Sequence, residues 1–411
     1  HRAVVVASIA AGRGGGAELQ ERSDSPCAGS GVRKHMEHCN HGGMSMYDVV
    51  ALGELLIDFT TQATDSDGYP TMAAHPGGAP ANFLAAIAKF GGKAALLGKV
   101  GTDTFGKLLT DTLRKAGIET KGLVASDDVF TTLAFVTLDK NGDREFAFAR
   151  KPGADTQLRF DELDLSIIDE ARVFHFGTLS LTDEPARSTT YRAVEYAKAH
   201  SKLVTFDPNL RKPLWKDLDD AKTQMLWGLD HADVVKISDE EVKFLFDLGA
   251  QDSAQYILDH FPAKLVFVTC GADGCWFQNR KASGHVDSLK NIKVVDTTGA
   301  GDIFGGSAVW KLLQTGKAPE DLTEAELREI VSFACKAAHR LHIGKAQRGS
   351  PAGFQAFQSL ILIQNDRLSR PILNGAVCCR TGFYAIGGCY EKTGLWIDET
   401  ADIGADEFFV H

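Results

Sequence analysis

One turn of the chain combines residue types that could carry out phosphoryl transfer: Val295-Asp296-Thr297-Thr298-Gly299-Ala300-Gly301-Asp302. Its small residues let an anion approach the backbone, and a helix-like stretch begins at Ile303. The N–H groups of a glycine-rich turn that opens a helix converge on such an anion. The carboxylate of Asp302 stands at the mouth of the turn, where it could accept a proton from an attacking hydroxyl. The turn therefore predicts an anion cradle, formed by Gly299, Ala300 and Gly301, with a base beside it.

A second glycine turn precedes another predicted helix: Gly77-Gly78-Ala79-Pro80-Ala81-Asn82. Taken alone, it fits an ordinary strand-to-helix connection. The amide of Asn82, however, stands near the helix start and could reach a ligand there, and Asp58 follows the first predicted strand shortly after its end. Ligands of doubly wound sheets bind at the carboxyl ends of the strands, where we expect Asp58 and this turn to lie together.

A third polar run ends a later predicted strand: Phe206-Asp207-Pro208-Asn209-Leu210-Arg211. Pro208 forces the chain out of the sheet, so its polar neighbours could be simple turn formers. Arg211 is different, because a guanidinium at a strand's carboxyl end suits a phosphate or a sugar hydroxyl.

The two strands that follow also end in polar or glycine-rich sequence. Lys236, Ser238 and Glu241 come after one of them. Ser238 and Glu241 have the spacing of a helix capping box, and a role in orienting hydrated Mg²⁺ is an equally open interpretation. The next strand closes on two glycines, in Thr269-Cys270-Gly271-Ala272-Asp273-Gly274.

Strand-like and helix-like segments alternate from Tyr47 to about Lys345, which predicts a doubly wound, mostly parallel sheet with helices on both faces. The predicted strands are short and apolar throughout, as buried parallel strands are. They are Asp48–Leu52, Ala94–Val100, Arg172–Phe176, Leu203–Asp207, Val234–Ile237 and Leu265–Thr269. The predicted helices include Ala81–Phe90, Phe105–Ala116, Pro185–Ala199 and Asp239–Leu248.

One segment interrupts this alternation. Thr131–Leu138 and Arg144–Ala149 alternate in the two-residue manner of half-exposed strands, with Asn141-Gly142 between them. Asn-Gly between two such runs predicts a β-hairpin. A hairpin inserted into an α/β domain often covers a site, so we expect a small β lid over about residues 129–150.

Composition and missing motifs exclude several classes of protein. The net charge of −10 argues against non-specific nucleic-acid binding, and no apolar run reaches the roughly 20 residues that span a membrane. Eight cysteines in 411 residues are too few for a disulfide scaffold, which favours a reducing, cytoplasmic location. The first predicted strand is not followed by a dinucleotide-binding Gly-x-Gly-x-x-Gly, and the chain has no Walker lysine motif.

The two ends differ from the middle. Residues 1–45 are rich in Gly, Ser and Arg and indicate a foreign or disordered leader. Residues 46–345 carry the α/β pattern, and residues 346–411 form an irregular tail. Our hypothesis for the tail is a reading-frame change near residue 339, which resequencing of the coding DNA would test.

The motifs taken together resemble the ribokinase-like (phosphofructokinase-B) family of carbohydrate kinases, and within it fructokinase sequences. The resemblance spans about Tyr47 to Ala338. It rests on Gly53–Phe59, Gly77–Asn82, Lys99–Gly106, Gly142–Phe146, Phe176–Leu181, Asp207–Arg211 and Asp296–Asp302. It implies ATP-dependent phosphorylation of a sugar's exocyclic hydroxymethyl group, with Mg²⁺ and a monovalent cation such as K⁺.

The resemblance also implies a role for individual residues. Asp302 would be the base, and the amides of Gly299 to Gly301 would hold the transferring phosphoryl group. Asp58, Gly77, Gly78, Asn82, Arg150 and Arg211 would bind the sugar or approach the phosphates. Lys236, Ser238, Glu241, Thr269, Gly271 and Gly274 would line the nucleotide site, and Asp296 and Thr298 the monovalent-cation site. The lid would pair two subunits in a homodimer.

Two alternatives stay open at this point. One is a kinase for another acceptor, such as ribose, 2-keto-3-deoxygluconate or adenosine. The other is a catalytically impaired family member that acts as a binding module. The intact turn before Asp302 argues against this second alternative, whereas the departure from the family pattern after Ala338 argues for it.

Overall fold

A computed structural model describes residues 46–138, 144–289 and 299–347; the side chains of residues 138, 144–146 and 340–347 are outside the description. The strands in these ranges are β1 Tyr47–Leu52, β2 Leu56–Thr64, β3 Pro70–Gly77, β4 Ala94–Gly101, β5 Ile118–Glu119, β6 Leu123–Ser126, β7 Leu133–Leu138, β8 Arg144–Ala149, β9 Ala171–Gly177, β10 Leu203–Asp207, β11 Val234–Ser238, β12 Leu265–Thr269, β13 Cys275–Asn279 and β14 Ser283–Val286. The helices are α1 Ala79–Lys89, α2 Thr104–Lys115, α3 Leu165–Asp169, α4 Ala186–Ala199, α5 Leu218–His231, α6 Asp239–Phe246, α7 Ala250–His260, α8 Ala300–Thr315 and α9 Glu324–Gln347.

The main sheet has the order β14-β13-β12-β11-β10-β9-β1-β4-β5, with β6 also paired to β4. Its centre, from β12 to β4, is parallel, and β13 and β14 continue one edge antiparallel. Consecutive parallel strands need crossover connections, which the helices supply. The carboxyl ends of β1, β9, β10, β11 and β12 therefore share one edge.

Side chains alternate between the two faces of this sheet and bury both. Val50 and Leu52 of β1 enter one apolar core, whereas Val49 and Ala51 enter the other. The first core packs against α4 to α7, and the second against α1, α2 and α8. Burial of both faces explains why these strands read as continuous apolar runs. The doubly wound fold predicted from the sequence is confirmed.

Four further strands form a second sheet, in the order β3-β2-β7-β8. Strands β7 and β8 pair antiparallel, as the alternating pattern predicts, although the Asn141-Gly142 turn lies outside the described residues. Strands β2 and β3 were not expected from the sequence. Asp58 consequently lies within β2, opposite His75 of β3, and not at the carboxyl end of a main-sheet strand. The sequence did not predict that Asp58 belongs to a second sheet, but the expected proximity to the Gly77-Gly78 turn is found, since a Cβ at Gly77 would lie 2.1 Å from Oδ2 of Asp58.

The predicted helix and strand bounds agree with the structure to within a few residues. Leu203–Asp207 and Leu265–Thr269 have the predicted ends, and Pro80 occupies the first turn of α1. Across the described residues, no helix is both long enough and apolar enough to cross a membrane.

Candidate active site

A small pocket lies at the edge of the main sheet where its central strands end. Its walls come from the ends of β1, β9 and β10 and from the first turns of α1 and α8. The lining residues are Glu54, Ala79, Pro80, Phe83, His175, Gly177, Thr178, Leu179, Asp207, Asn209 and Asp302. Residues from three separate sequence motifs therefore lie around one space, and one of them, Asp302, is a predicted site residue.

The first turn of α8 holds the predicted base. Gly299 adopts a left-handed conformation with φ 76°, which glycine adopts without strain, and α8 begins at the next residue. Asp302 follows in the first turn with 7% of its surface exposed. Burial raises the pKa of Asp302 above its ordinary range, against the lowering effects of an Asn82 hydrogen bond and of Lys236 and Arg211.

Asn82 of α1 joins this base directly. Its Nδ2 donates to Oδ2 of Asp302 at 2.8 Å, and its own Oδ1 is buried without a hydrogen-bond partner in the described part of the chain. The bond is possible because α1 and α8 approach very closely. A Cβ at Gly306, one turn beyond Asp302, would lie 2.2 Å from the carbonyl oxygen of Phe83. The glycine therefore sets the spacing at which Asn82 reaches Asp302.

A buried ion pair lies under the glycine turn. Nζ of Lys236 donates to both carboxylate oxygens of Asp207, at 3.0 and 3.2 Å. Burial opposes the charge on Lys236, but the carboxylates of Asp207, Glu241 and Asp302 raise its pKa, so the ammonium stays charged. A Cβ at Gly301 would lie only 2.8 Å from this Nζ. The ammonium thus sits directly against the predicted anion cradle.

Ser238 and Glu241 form the capping box that their spacing predicts. Ser238 N donates to Oε2 of Glu241, and Glu241 N donates to Oγ of Ser238. The other oxygen, Oε1, accepts from the backbone N–H of Leu210 at 2.7 Å. Each carboxylate oxygen has a second lone pair, so Glu241 can still accept a hydrogen bond from the water shell of a bound cation. The cap and the Mg²⁺ interpretation are therefore compatible.

The turn before α1 is held on its inner side by β1 and β2. Gly78 has φ 119°, and a Cβ there would lie 2.4 Å from the carbonyl oxygen of Glu54. Gly77 adjoins the carboxylate of Asp58, since its Cβ would lie 2.1 Å from Oδ2. Asp58 therefore reaches the predicted sugar turn from the second sheet, although it is not at the strand end where the sequence suggested it.

Arg150 is used mainly within the protein. With 5% of its surface exposed, it bonds the carboxylate of Asp155, Oγ1 of Thr182 and the carbonyl oxygen of Leu179. These contacts fasten the chain that leaves β8 to the segment that follows β9. Arg211, by contrast, is partly exposed and contributes a positive charge close enough to lower the pKa of Asp302.

Three of the predicted nucleotide residues lie at and after the end of β12. Oγ1 of Thr269 donates to the carbonyl oxygen of Ile237, and a Cβ at Gly271 would meet no atom of the described residues within 4 Å. Gly274 has φ 98° and packs against Val286 and its neighbours. Asp296 and Thr298 lie outside the described residues. In the described ranges, no group of three or more His, Cys, Asp or Glu residues is arranged to hold a metal ion.

Sequence reasoning missed two pocket residues. His175 stacks on Phe83 with ring centroids 3.7 Å apart, and burial together with Lys236 lowers its pKa to about 3, so its ring is neutral. Glu54 is 3% exposed and accepts a hydrogen bond from the backbone of Ala79. The available signal was position alone, since each stands at or near the end of a predicted main-sheet strand.

Comparison with known proteins agrees with this geometry. Residues 46–342 match the pfkB family of carbohydrate kinases. The chain is 43% identical over 289 residues to probable fructokinase-3 of Arabidopsis thaliana, covering 70% of this chain and 83% of that protein. It is 41% identical over 298 residues to fructokinase-2 of Solanum lycopersicum, covering 72% and 90%. The crystal structure of fructokinase with bound ATP from Xylella fastidiosa superposes with a TM-score of 0.63 at 30% identity, covering 77% of this chain and 98% of that one.

The chain therefore belongs to the pfkB family of carbohydrate kinases, as the sequence motifs indicate. It is accordingly a phosphotransferase with a hydroxyl group as acceptor and ATP as co-substrate. Its relatives among solved structures share the ribokinase-like arrangement of sheet and helices.

Proposed function

We propose that this chain is an ATP-dependent fructokinase that converts D-fructose and ATP to D-fructose 6-phosphate and ADP. The observation that carries the proposal is the buried Asp302, hydrogen-bonded to Asn82 at the base of the pocket and beside the glycine turn of α8. The similarity to fructokinases of Arabidopsis thaliana, Solanum lycopersicum and Xylella fastidiosa supports fructose as the acceptor.

In the reaction we assign, Asp302 takes the proton from the exocyclic hydroxymethyl group of the sugar. The freed oxygen forms a bond to the γ-phosphorus, and the bond from that phosphorus to the β,γ-bridging oxygen breaks, so that ADP leaves with the electron pair. The amides of Gly299, Ala300 and Gly301 hold the equatorial oxygens of the transferring group. Such transfer depends mainly on positioning and electrostatic stabilisation.

Lys236 supplies the positive charge next to this turn. Its ammonium is held by Asp207 at the place where a side chain at Gly301 would intrude. A fixed charge in a site shielded from water stabilises developing negative charge more strongly than one in solvent. Mg²⁺, held through water by Glu241 and Ser238, would neutralise charge on the phosphates.

The charges of the pocket favour an uncharged sugar. Three carboxyl groups line it, from Glu54, Asp207 and Asp302, and its histidine is neutral. Carboxyl groups accept hydrogen bonds from sugar hydroxyls, and the residues that line this pocket include no Lys or Arg to bind a second phosphate on the acceptor. We therefore propose a free sugar as the acceptor and not a sugar phosphate.

The remaining residues keep the roles that the resemblance implies. Asp58, Gly77, Gly78 and Asn82 bind sugar hydroxyls, Arg150 supports that region and Arg211 approaches the phosphates. Thr269, Gly271 and Gly274 line the nucleotide site, and Asp296 and Thr298 contribute to a K⁺ site. Pairing of two chains through the lid and a cytoplasmic location also stay proposals.

The test is release of ADP by the full chain with a panel of acceptors at equal concentration: fructose, ribose, 2-keto-3-deoxygluconate, adenosine and fructose 6-phosphate. We expect fructose to give the highest kcat/KM, fructose 6-phosphate none, and phosphorus NMR to locate the product phosphate on the exocyclic oxygen. A higher kcat/KM with ribose or adenosine would replace fructose as the substrate. Binding of sugar without ADP release would favour the impaired binding module.

A further inference from the structure

Glu54 is a buried carboxyl group to which neither the sequence motifs nor the proposed reaction gives a role. It follows β1 after one residue, and its side chain lines the same pocket as Asp207 and Asp302. Only 3% of its surface is exposed. Because burying a carboxyl group costs free energy unless it is hydrogen-bonded, its partner indicates why the fold keeps it there.

That partner is the start of α1. Helices usually begin with a residue whose side chain accepts one of the unpaired N–H groups of the first turn. Gly78 occupies this position and has no side chain to do so. Instead, Oε1 of Glu54 accepts from the N–H of Ala79 at 2.8 Å. A residue 25 positions earlier in the chain therefore caps the helix from outside.

The cap lies next to three residues of the predicted sugar site, Gly77, Gly78 and Asn82. Ala79 directly follows Gly77 and Gly78, and Asn82 lies one turn further along α1, where it bonds Asp302. The carbonyl oxygen of Glu54 also lies against Gly78, where a Cβ would be 2.4 Å away. Backbone and side chain of Glu54 thus hold the same turn from two directions.

The surroundings of Glu54 bring the pKa of its carboxyl group close to neutral pH. Burial raises the pKa of Glu54 to about 7, and Asp155 adds to the rise, while the backbone N–H groups of Glu54 and Ala79 and the charge of Arg150 oppose it. Asp207, Asp302 and the neutral His175 face the same pocket. Above about pH 7 the bond to Ala79 is that of a carboxylate, and below it that of a neutral acid.

We propose that Glu54 is a positioning residue of the sugar site, which fixes the Gly77-Gly78 turn and the first turn of α1 and so sets the affinity for the sugar acceptor. The inference rests on the proposed function, since it takes this turn to bind the sugar. Glu54 acts on the reaction through Ala79 and α1, and it has no part in the proton transfer.

Two substitutions at the same position separate this role from simple packing. Glu54→Met keeps the length of the side chain and removes the acceptor, so we expect the KM for fructose to rise about tenfold or more, as for loss of one charge-assisted hydrogen bond. Glu54→Gln keeps an oxygen that can accept from Ala79. We expect it to restore most of the affinity, with a rise of about threefold, because a neutral bond is weaker. The KM for ATP should be unchanged in both variants.

The pH dependence gives a second readout. Acidification through about pH 7 converts Glu54 of the wild type to the neutral acid, which resembles the glutamine of Glu54→Gln. The KM of Glu54→Gln for fructose, divided by that of the wild type, should therefore fall toward one below about pH 7 and reach its highest, constant value above it. Titration of other groups in the pocket affects both proteins and cancels in the ratio.

Asp233 offers a matched control. Its carboxylate also accepts a backbone N–H, that of Val204 at 2.9 Å, but it precedes β11 and so lies at the opposite edge of the sheet. Asp233→Asn should leave the KM for fructose unchanged. An unchanged KM in folded Glu54→Met, equal losses in Glu54→Gln and Glu54→Met, or parallel rises for fructose and ATP would each overturn the inference.

Calorimetric titration with fructose distinguishes this failure from failure of the proposed function. Turnover of fructose by the wild type supports the proposed function whatever Glu54 does. Binding of fructose without turnover removes the kinase reaction and still reports the effect of Glu54 on affinity. Absence of both binding and turnover in the wild type overturns the two proposals together.

Discussion

Two helix N-termini face the same pocket, and they are prepared in opposite ways. At α1, the N–H of Ala79 is bonded to the carboxyl group of Glu54. At α8, no side chain in the described residues accepts a hydrogen bond at the N-terminal cap, which is Gly299 in the left-handed conformation. The ammonium of Lys236 lies against the α8 turn, whereas a carboxyl group lies against the start of α1.

This difference separates the two jobs that the proposed reaction needs. An N-terminus with free N–H groups and a cation beside it attracts a phosphoryl group. An N-terminus already occupied by a carboxyl group does not, and it leaves its helix rigidly held against the sheet for an uncharged ligand. The charged groups around the two helix N-termini thus distinguish the acceptor side, at α1, from the phosphoryl side, at α8. The predictions below test this division in order of expected effect.

Asp302→Asn, at the N-terminus of α8, should abolish most turnover without weakening the binding of sugar at the N-terminus of α1. Loss of the general base lowers kcat by about 10²- to 10⁴-fold. Asparagine has nearly the same shape, so sugar affinity measured by calorimetry should change little. Undiminished kcat in this variant would remove Asp302 from the reaction.

Lys236→Met should destabilise the fold as well as the reaction. It leaves Asp207 buried without its partner, and removal of one member of a buried ion pair costs about 3–5 kcal/mol. The double variant Lys236→Met with Asp207→Asn should recover most of the stability in urea unfolding, while kcat stays low. Recovery of kcat along with stability would show that the ammonium does not act on the phosphoryl group.

Gly78→Ala should weaken the α1 side alone. A non-glycine residue in such a conformation costs about 1–3 kcal/mol, and its Cβ would meet the carbonyl oxygen of Glu54. Gly91→Ala is the matched control, because Gly91 also has a positive φ, of 87°, but a Cβ there would meet no atom of the described residues within 4 Å. Both variants should lose stability, and only Gly78→Ala should raise the KM for fructose. Equal KM values would separate this turn from sugar binding.

Asn82→Ala should raise the KM for fructose through loss of its proposed sugar contact, and at saturating sugar it should give the smallest change in kcat, a shift in pH dependence. The Asn82 amide stabilises the ionised form of Asp302 and so lowers a pKa that burial raises. Without it the pKa of Asp302 rises further, and the fall of kcat on acidification should begin at higher pH. A profile of kcat against pH at saturating sugar measures this. A shift toward lower pH would contradict the assignment of the bond.

The sequence predicts the parts of this site that are local in the chain. The turn before Asp302, the capping box of Ser238 and Glu241 and the succession of main-sheet strands along the chain each depend on neighbouring residues. Strands β2 and β3 were missed because their pattern is less regular, and because β7, the parallel partner of β2, lies far along the chain. The cap supplied by Glu54 could not be predicted either, since the N–H of Ala79 is unpaired within its helix like any first-turn N–H, and nothing local in the chain indicates an acceptor 25 residues away.

The close approach of α1 and α8 has a consequence for how sugar kinases of this kind can change their substrates. Because Gly306 meets the backbone of Phe83, the separation between the acceptor and phosphoryl sides is fixed by main-chain contact and not by side chains that vary easily. The contact between the two helices therefore fixes the distance between the acceptor hydroxyl and the phosphoryl group. A different acceptor can therefore be accommodated by changes in the pocket walls and the second sheet, provided that its reactive hydroxyl group occupies the same position beside Asp302.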